Sequence, residues 1–171
     1  IESGRIGAID TVPLRVSVDE TSILLLNEVE RLKATRVVID SLSGFELKLA
    51  PTFREDFRES MARMVSALSN AGVTVLMTSE LEDRYDDLRF STYGTAFLTD
   101  AIIVQRYIEV DSRLQRVLAV VKVRASPHSD ALRLFHIGED GILIGGMLTE
   151  TEGLLSGQPT RRSHADETES G

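Results

Sequence analysis

The chain has 171 residues, 42% hydrophobic and 27% charged, enough for one domain with its own core. With 27 acids against 19 bases its net charge is −8, which argues against a nucleic-acid surface, because such surfaces rest on clustered Lys and Arg. The absence of Cys excludes disulfides, thiolate metal sites and a cysteine nucleophile. The three His (His128, His136, His164) lack metal-ligand spacing. No apolar run approaches the roughly 20 residues needed to span a bilayer, and no secretory leader is visible. A cytoplasmic protein without membrane contact is expected. The chain begins at Ile1, so a preceding part is expected as well.

In chain order, Ile6 to Asp10 reads as a short strand, and Thr11 to Val18 as a connection through Pro13. Ser17 with Glu20 three residues on is a capping-box pattern. Leu24, Leu25, Val29 and Leu32 then share a helical face that ends near Lys33. Arg36-Val-Val-Ile-Asp-Ser-Leu-Ser43 follows at once. Its apolar run reads as a buried parallel strand, and Asp40 stands at the carboxyl end, where open α/β sheets place their ligands. That position suits a metal–phosphate site; the alternative is a core strand whose terminal Asp caps the next turn.

Residues 44–52 read as a loop broken by Pro51, and Phe53 to Asn70 as an amphipathic helix. Phe57, Met61, Met64, Val65 and Leu68 form its apolar stripe, and Gly72 is the left-handed residue after its end. Val73 to Ser79 is the next strand. Leu81 to Thr92 is highly charged and reads as a mobile surface loop. A short helix over Gly94 to Asp100 and a strand from Ala101 to Tyr107 come next. The remaining strands are Leu114–Arg124, Leu132–Ile137 and Ile142–Ile144, with a turn at Asp111-Ser112 and a hairpin at Glu139-Asp-Gly141. Right-handed crossovers put the first strands in a parallel sheet with helices on both faces. From Leu148 the chain is a polar tail, expected to be partly disordered.

A second feature lies in Lys122-Val-Arg-Ala-Ser-Pro-His128. Lys122 and Arg124 alternate on a strand and so share a face; adjacent cations repel unless they share an anion. Arg113, Arg116 and Arg133 extend the basic strip, whose one acid is Asp130. A phosphate held by the Arg fork and the Lys charge, with Ser126 and His128 as further donors, is one reading. A solvated strand face beside a polar turn is the other.

Taken together, Arg36–Ser43, Val73–Glu80, Thr99–Val110, Lys122–His128 and Gly153-Leu-Leu-Ser-Gly-Gln-Pro159 occur in the order seen in KaiC-like proteins, which are RecA-superfamily ATPases. The resemblance runs from about Ile6 to Arg161. It implies an α/β fold: a RecA-like, mostly parallel sheet flanked by helices, with a C-terminal antiparallel β extension. It implies that residues 1–147 are the Walker B half of such an ATPase domain, with residues 148–171 as the tail. Asp40 is then the Walker B carboxylate, holding Mg²⁺ directly or through water, with Ser41, Thr78 and Ser79 beside the ATP. Lys122, Val123, Arg124, Ser126 and His128 reach the ATP of a neighbouring subunit, with Lys122 and Arg124 as an in-trans finger. The partners so implied are copies of the same chain in a ring, a hexamer in this family, and regulatory proteins of a clock-related or signalling system. A non-catalytic interaction module that acts on a partner is the competing reading.

The sequence also departs from the family pattern. It contains no Gly-x-x-x-x-Gly-Lys-[Ser/Thr], the loop that cradles phosphates, so the P-loop strand is absent from this chain. In the family that loop lies upstream, so the chain alone is expected to be inactive and to hold ATP only weakly. The vacated place lies between the strands that start at Val73 and Ala101, where a gap, a direct collapse of the two strands or an exchange with another chain is expected. The phosphate-accepting Ser/Thr pair of the clock protein falls on Ala96 and Phe97, which makes a clock-type phosphorylation cycle there doubtful. The finger segment carries Ala125 in place of the usual Gly, and Asp130 in place of a basic residue.

Overall fold

The structure is a computed structural model that describes residues 5–10, 17–42, 54–80, 95–110, 112–148, 151–152 and 160–161. The charged loop expected over 81–92, the loop over 44–52, Asp111 and the segment 153–159 lie outside the described residues. The chain forms two compact units, residues 1–82 with 91–98, and residues 83–90 with 99–171.

In the first unit, helix α1 spans Val18–Leu32. It starts as the residue pattern predicts: the Glu20 amide donates to Ser17 Oγ at 3.2 Å, and the Ser17 amide donates to Glu20 Oε2 at 2.7 Å. It stops at Lys33, whose φ of 50° is left-handed. Its core-facing side carries Val18, Leu25, Leu26 and Val29. Strand β1 (Arg36–Ile39) pairs parallel with β2 (Thr74–Met77), Arg36 opposite Thr74 and Ile39 opposite Met77. Between them runs α2 (Arg54–Asn70). Phe57, Met61, Met64 and Leu68 recur on one face of α2 and are buried with Val37, Ile39, Leu42 and Val73. Gly72 follows α2 at φ 76°, and its amide donates to the Ser69 carbonyl at 2.9 Å; a side chain there would be strained.

Two expectations are corrected here. Residues 6–10 form no strand. The segment crosses α1 closely instead: a Cβ on Gly7 would stand 2.8 Å from Leu32 Cδ1. The two-stranded sheet is covered on one face only among the described residues. Val37 and Ile39 point into the core with both helices, whereas Val38 is 62% and Leu76 58% exposed on the other side. β1 is thus half-buried, although its composition resembles that of a fully buried strand.

The second unit is an antiparallel sheet in the order β3-β4-β5-β6. Strands β3 (Ala101–Val110) and β4 (Arg113–Val123) form a long hairpin; Ser112 turns the chain at φ 57°. Strand β5 (Arg133–Gly138) touches β4 in register only at Leu134 and Arg133, and pairs with β6 (Gly141–Met147) along most of its length. Ile108 and Val117 are the buried centre, with Val110, Leu132, Leu134 and Leu148 packed on them. In the polar tail a short ladder joins β7 (Thr151–Glu152) to β8 (Thr160–Arg161). β2 belongs to the parallel pair of the first unit and β3 to the antiparallel sheet of the second. Among the described residues no helix is long and apolar enough to cross a membrane.

Candidate functional site

The two sequence features become two local constellations, one in each unit. The first is built by the parallel ladder. The Thr78 amide donates to the Ile39 carbonyl at 3.0 Å and the Leu42 amide to the Thr78 carbonyl at 2.9 Å, so the ladder runs one step past both strands and sets Asp40 beside Thr78. The Thr78 hydroxyl donates to Asp40 Oδ1 at 2.6 Å. Asp40 is exposed at the carboxyl end of the parallel pair, with half-buried Ser41 next to it across a cis peptide bond. Ser79 is not drawn in: its hydroxyl faces the Glu80 carbonyl at 3.5 Å.

No group of three or more His, Asp or Glu among the described residues could hold a metal ion by itself. The donors present are one carboxylate with hydroxyls around it. Such hard oxygen donors fit Mg²⁺, which takes one or two protein carboxylates and completes its shell with waters and substrate phosphates.

The second constellation is built by the β3–β4 hairpin. Its register carries Ala101 opposite Val123 and Ile102 opposite Lys122, then shifts so that Ile103 faces Val120. Val121 is the extra residue, and a bulge of this kind re-aims the side chains beside it. Lys122 Nζ donates to the Thr99 carbonyl at 2.8 Å. The ladder continues one step: the Arg124 amide donates to the Asp100 carbonyl at 2.6 Å, and Arg124 Nη1 lies 3.4 Å from Asp100 Oδ1. Beyond it the chain turns at Ala125, whose φ of 55° is left-handed. The Ser126 hydroxyl donates to the Pro127 carbonyl at 3.3 Å, and His128 and Asp130 are exposed. Val123 closes β4, half-buried.

Within the basic strip, Arg116 and the Lys122–Arg124 pair have different neighbours. Arg116 lies across the hairpin from Tyr107, its Nε 3.0 Å from the phenolic oxygen and its guanidinium 5.2 Å from the ring centroid. Lys122 and Arg124 instead converge on Thr99-Asp100. Sequence reasoning missed Asp100 as their partner. The register set by the turn could not find it, because only the bulge at Val121 pairs Ala101 with Val123 and puts Asp100 opposite Arg124. Ala96 and Phe97 sit on a 3₁₀ turn (Thr95–Leu98), with the Arg58 guanidinium 5.4 Å from the Phe97 ring centroid.

Comparison with known proteins adds the context. A family model described as the KaiC ATPase matches residues 3–148. The chain is 26% identical over 158 residues to the circadian clock protein KaiC3 of Synechocystis sp., covering 92% of this chain and 31% of that protein. It is 25% identical over 166 residues to the circadian clock oscillator protein KaiC of Thermosynechococcus vestitus, covering 97% of this chain and 32% of that one. The crystal structure of a KaiC-like protein from the archaeon Pyrococcus horikoshii OT3 superposes with a TM-score of 0.71 at 27% identity, over 85% of this chain and 62% of that chain. The chain thus spans about a third of the length of these clock proteins.

Proposed function

The chain belongs to the KaiC family of ATPases, and from that premise we propose that it carries two complementary parts of ATP sites shared between like subunits. Asp40 is the Walker B carboxylate of one site. Lys122 and Arg124 are cations offered to the nucleotide of a neighbour. The whole protein is then a self-assembling, ATP-hydrolysing regulator of clock-related type, a role suggested by the names of its relatives.

The observation that carries this reading is the 2.6 Å hydrogen bond from Thr78 to Asp40 at the carboxyl end of the paired parallel strands. That bond fixes one carboxylate oxygen and orients the other. Asp40 would hold magnesium directly or through water, with Ser41 and Thr78 as neighbouring hydroxyls; the ion supplies charge neutralisation at the β- and γ-phosphates. Lys122 and Arg124 would place positive charge beside the transferring γ-phosphoryl group, where the transition-state charge is spread over its equatorial oxygens and the leaving oxygen. A cation supplied from outside the phosphate cradle is worth about 10³–10⁵ in rate in well-studied cases.

The test is ATP turnover by the native polypeptide that carries this chain. Asp40→Asn is expected to lower kcat by about 100-fold or more and to weaken the magnesium dependence. Full activity in that variant would sink the assignment of Asp40.

A further inference from the structure

Lys122 and Arg124 both turn back over the dipeptide that precedes β3, one onto the Thr99 carbonyl and the other onto Asp100. Two cations on alternate residues of one strand repel when their heads meet, and the Asp100 carboxylate lies against the Arg124 guanidinium. That pairing is shallow. The Asp100 side chain is 84% exposed and the Arg124 side chain 56%, and they approach to 3.4 Å, longer than the contacts of strong Arg–carboxylate pairs. The Asp100 carbonyl is meanwhile bonded to the Arg124 amide at 2.6 Å. The carboxylate can therefore rotate away about its own side-chain bonds while the ladder stays closed.

We propose that Asp100 is a built-in competitor for the Lys122–Arg124 pair. It pairs with Arg124 in the resting chain and is displaced when a polyphosphate anion arrives. The proposal rests on the reading of this pair as a phosphate site, and it specifies how that site is regulated. Asp100 sets a threshold: an anion must exceed one carboxylate in charge and in donors engaged before it takes the guanidinium. Monoanions such as acetate fail that exchange, and tripolyphosphate passes it.

The probe is tripolyphosphate titrated at low ionic strength into the 171-residue chain, followed by the NMR amide signals of Arg124 and Ala125. Asp100→Asn is expected to bind about two- to fivefold tighter, the worth of an exposed ion pair. Asp100→Ser is expected to do the same, because charge and not shape is the variable. Arg124→Gln binds more weakly, and adding Asp100→Asn to it restores nothing. In the unsubstituted chain the Asp100 carboxyl ¹³C signal shifts in step with saturation, a readout independent of how the variants fold.

If neither Asp100 variant binds tighter while Arg124→Gln still weakens binding, the competitor role is overturned and the phosphate site stands. An Asp100 carboxyl signal that stays fixed at saturation overturns it too. Binding that ignores both Arg124 and Asp100, or no binding in any variant, overturns the competitor role and the phosphate site together.

Discussion

Ala125 occupies a left-handed turn at φ 55°, directly after the cation Arg124. A Cβ in that conformation costs roughly 1–2 kcal/mol, part of which is regained because Ala loses less chain entropy on folding than Gly does. Ala125→Gly is therefore expected to stabilise the second unit by up to about 1 kcal/mol in denaturant unfolding. A loss of stability would mean that the turn does not hold the left-handed conformation in solution. Asp40 shows the opposite relation between residue and backbone. Its place follows from strand pairing, and its orientation comes from one hydroxyl on the neighbouring strand.

Among the elements, α1 has the most legible start. The Ser17 amide and hydroxyl hold the Glu20 carboxyl below its ordinary value of 4.5. A lowered carboxyl in the folded state stabilises above the unfolded value and loses that contribution as pH falls through the folded one. Ser17→Ala is expected to cost about 1 kcal/mol near neutral pH. The difference in thermal stability between the native chain and Glu20→Gln should narrow as pH drops below about 4.5. A difference that stays constant down to pH 3 or so would rule the capping box out as its source.

Elements whose signal is local were readable from residues alone. The Phe57–Met61–Met64–Leu68 stripe of α2, the Gly72 stop and the long β3–β4 hairpin all have the period or turn chemistry that defines them. Elements whose state depends on a distant neighbour were not. Residues 6–10 have strand composition, yet in the structure they run irregularly, with Gly7 close against α1. Val38 and Leu76 are as apolar as Val37 and Ile39, and composition cannot tell which face of a strand is covered. Asp100 was invisible as a partner because an ion pair across a hairpin depends on register, and one bulge at Val121 changes which side chains meet.

At the scale of the whole molecule, the two constellations lie in separately compact units. The proposed division is that Asp40 serves one nucleotide and Lys122 with Arg124 serve another. On that proposal self-association is a condition of activity. The division also predicts that damage to the two constellations is separable. A subunit that lacks Asp40 can still lend its cations, and one that lacks Arg124 can still hold magnesium.

The most direct measurement of that claim mixes Asp40→Asn and Arg124→Gln forms of the native polypeptide, each nearly inactive alone, and follows ATP turnover after co-assembly. With random arrangement, about a quarter of the subunit interfaces combine an intact Asp40 with an intact Arg124 from the neighbour, so about a quarter of the unsubstituted activity should return. A mixture no more active than its components, although it co-assembles, would contradict the shared site.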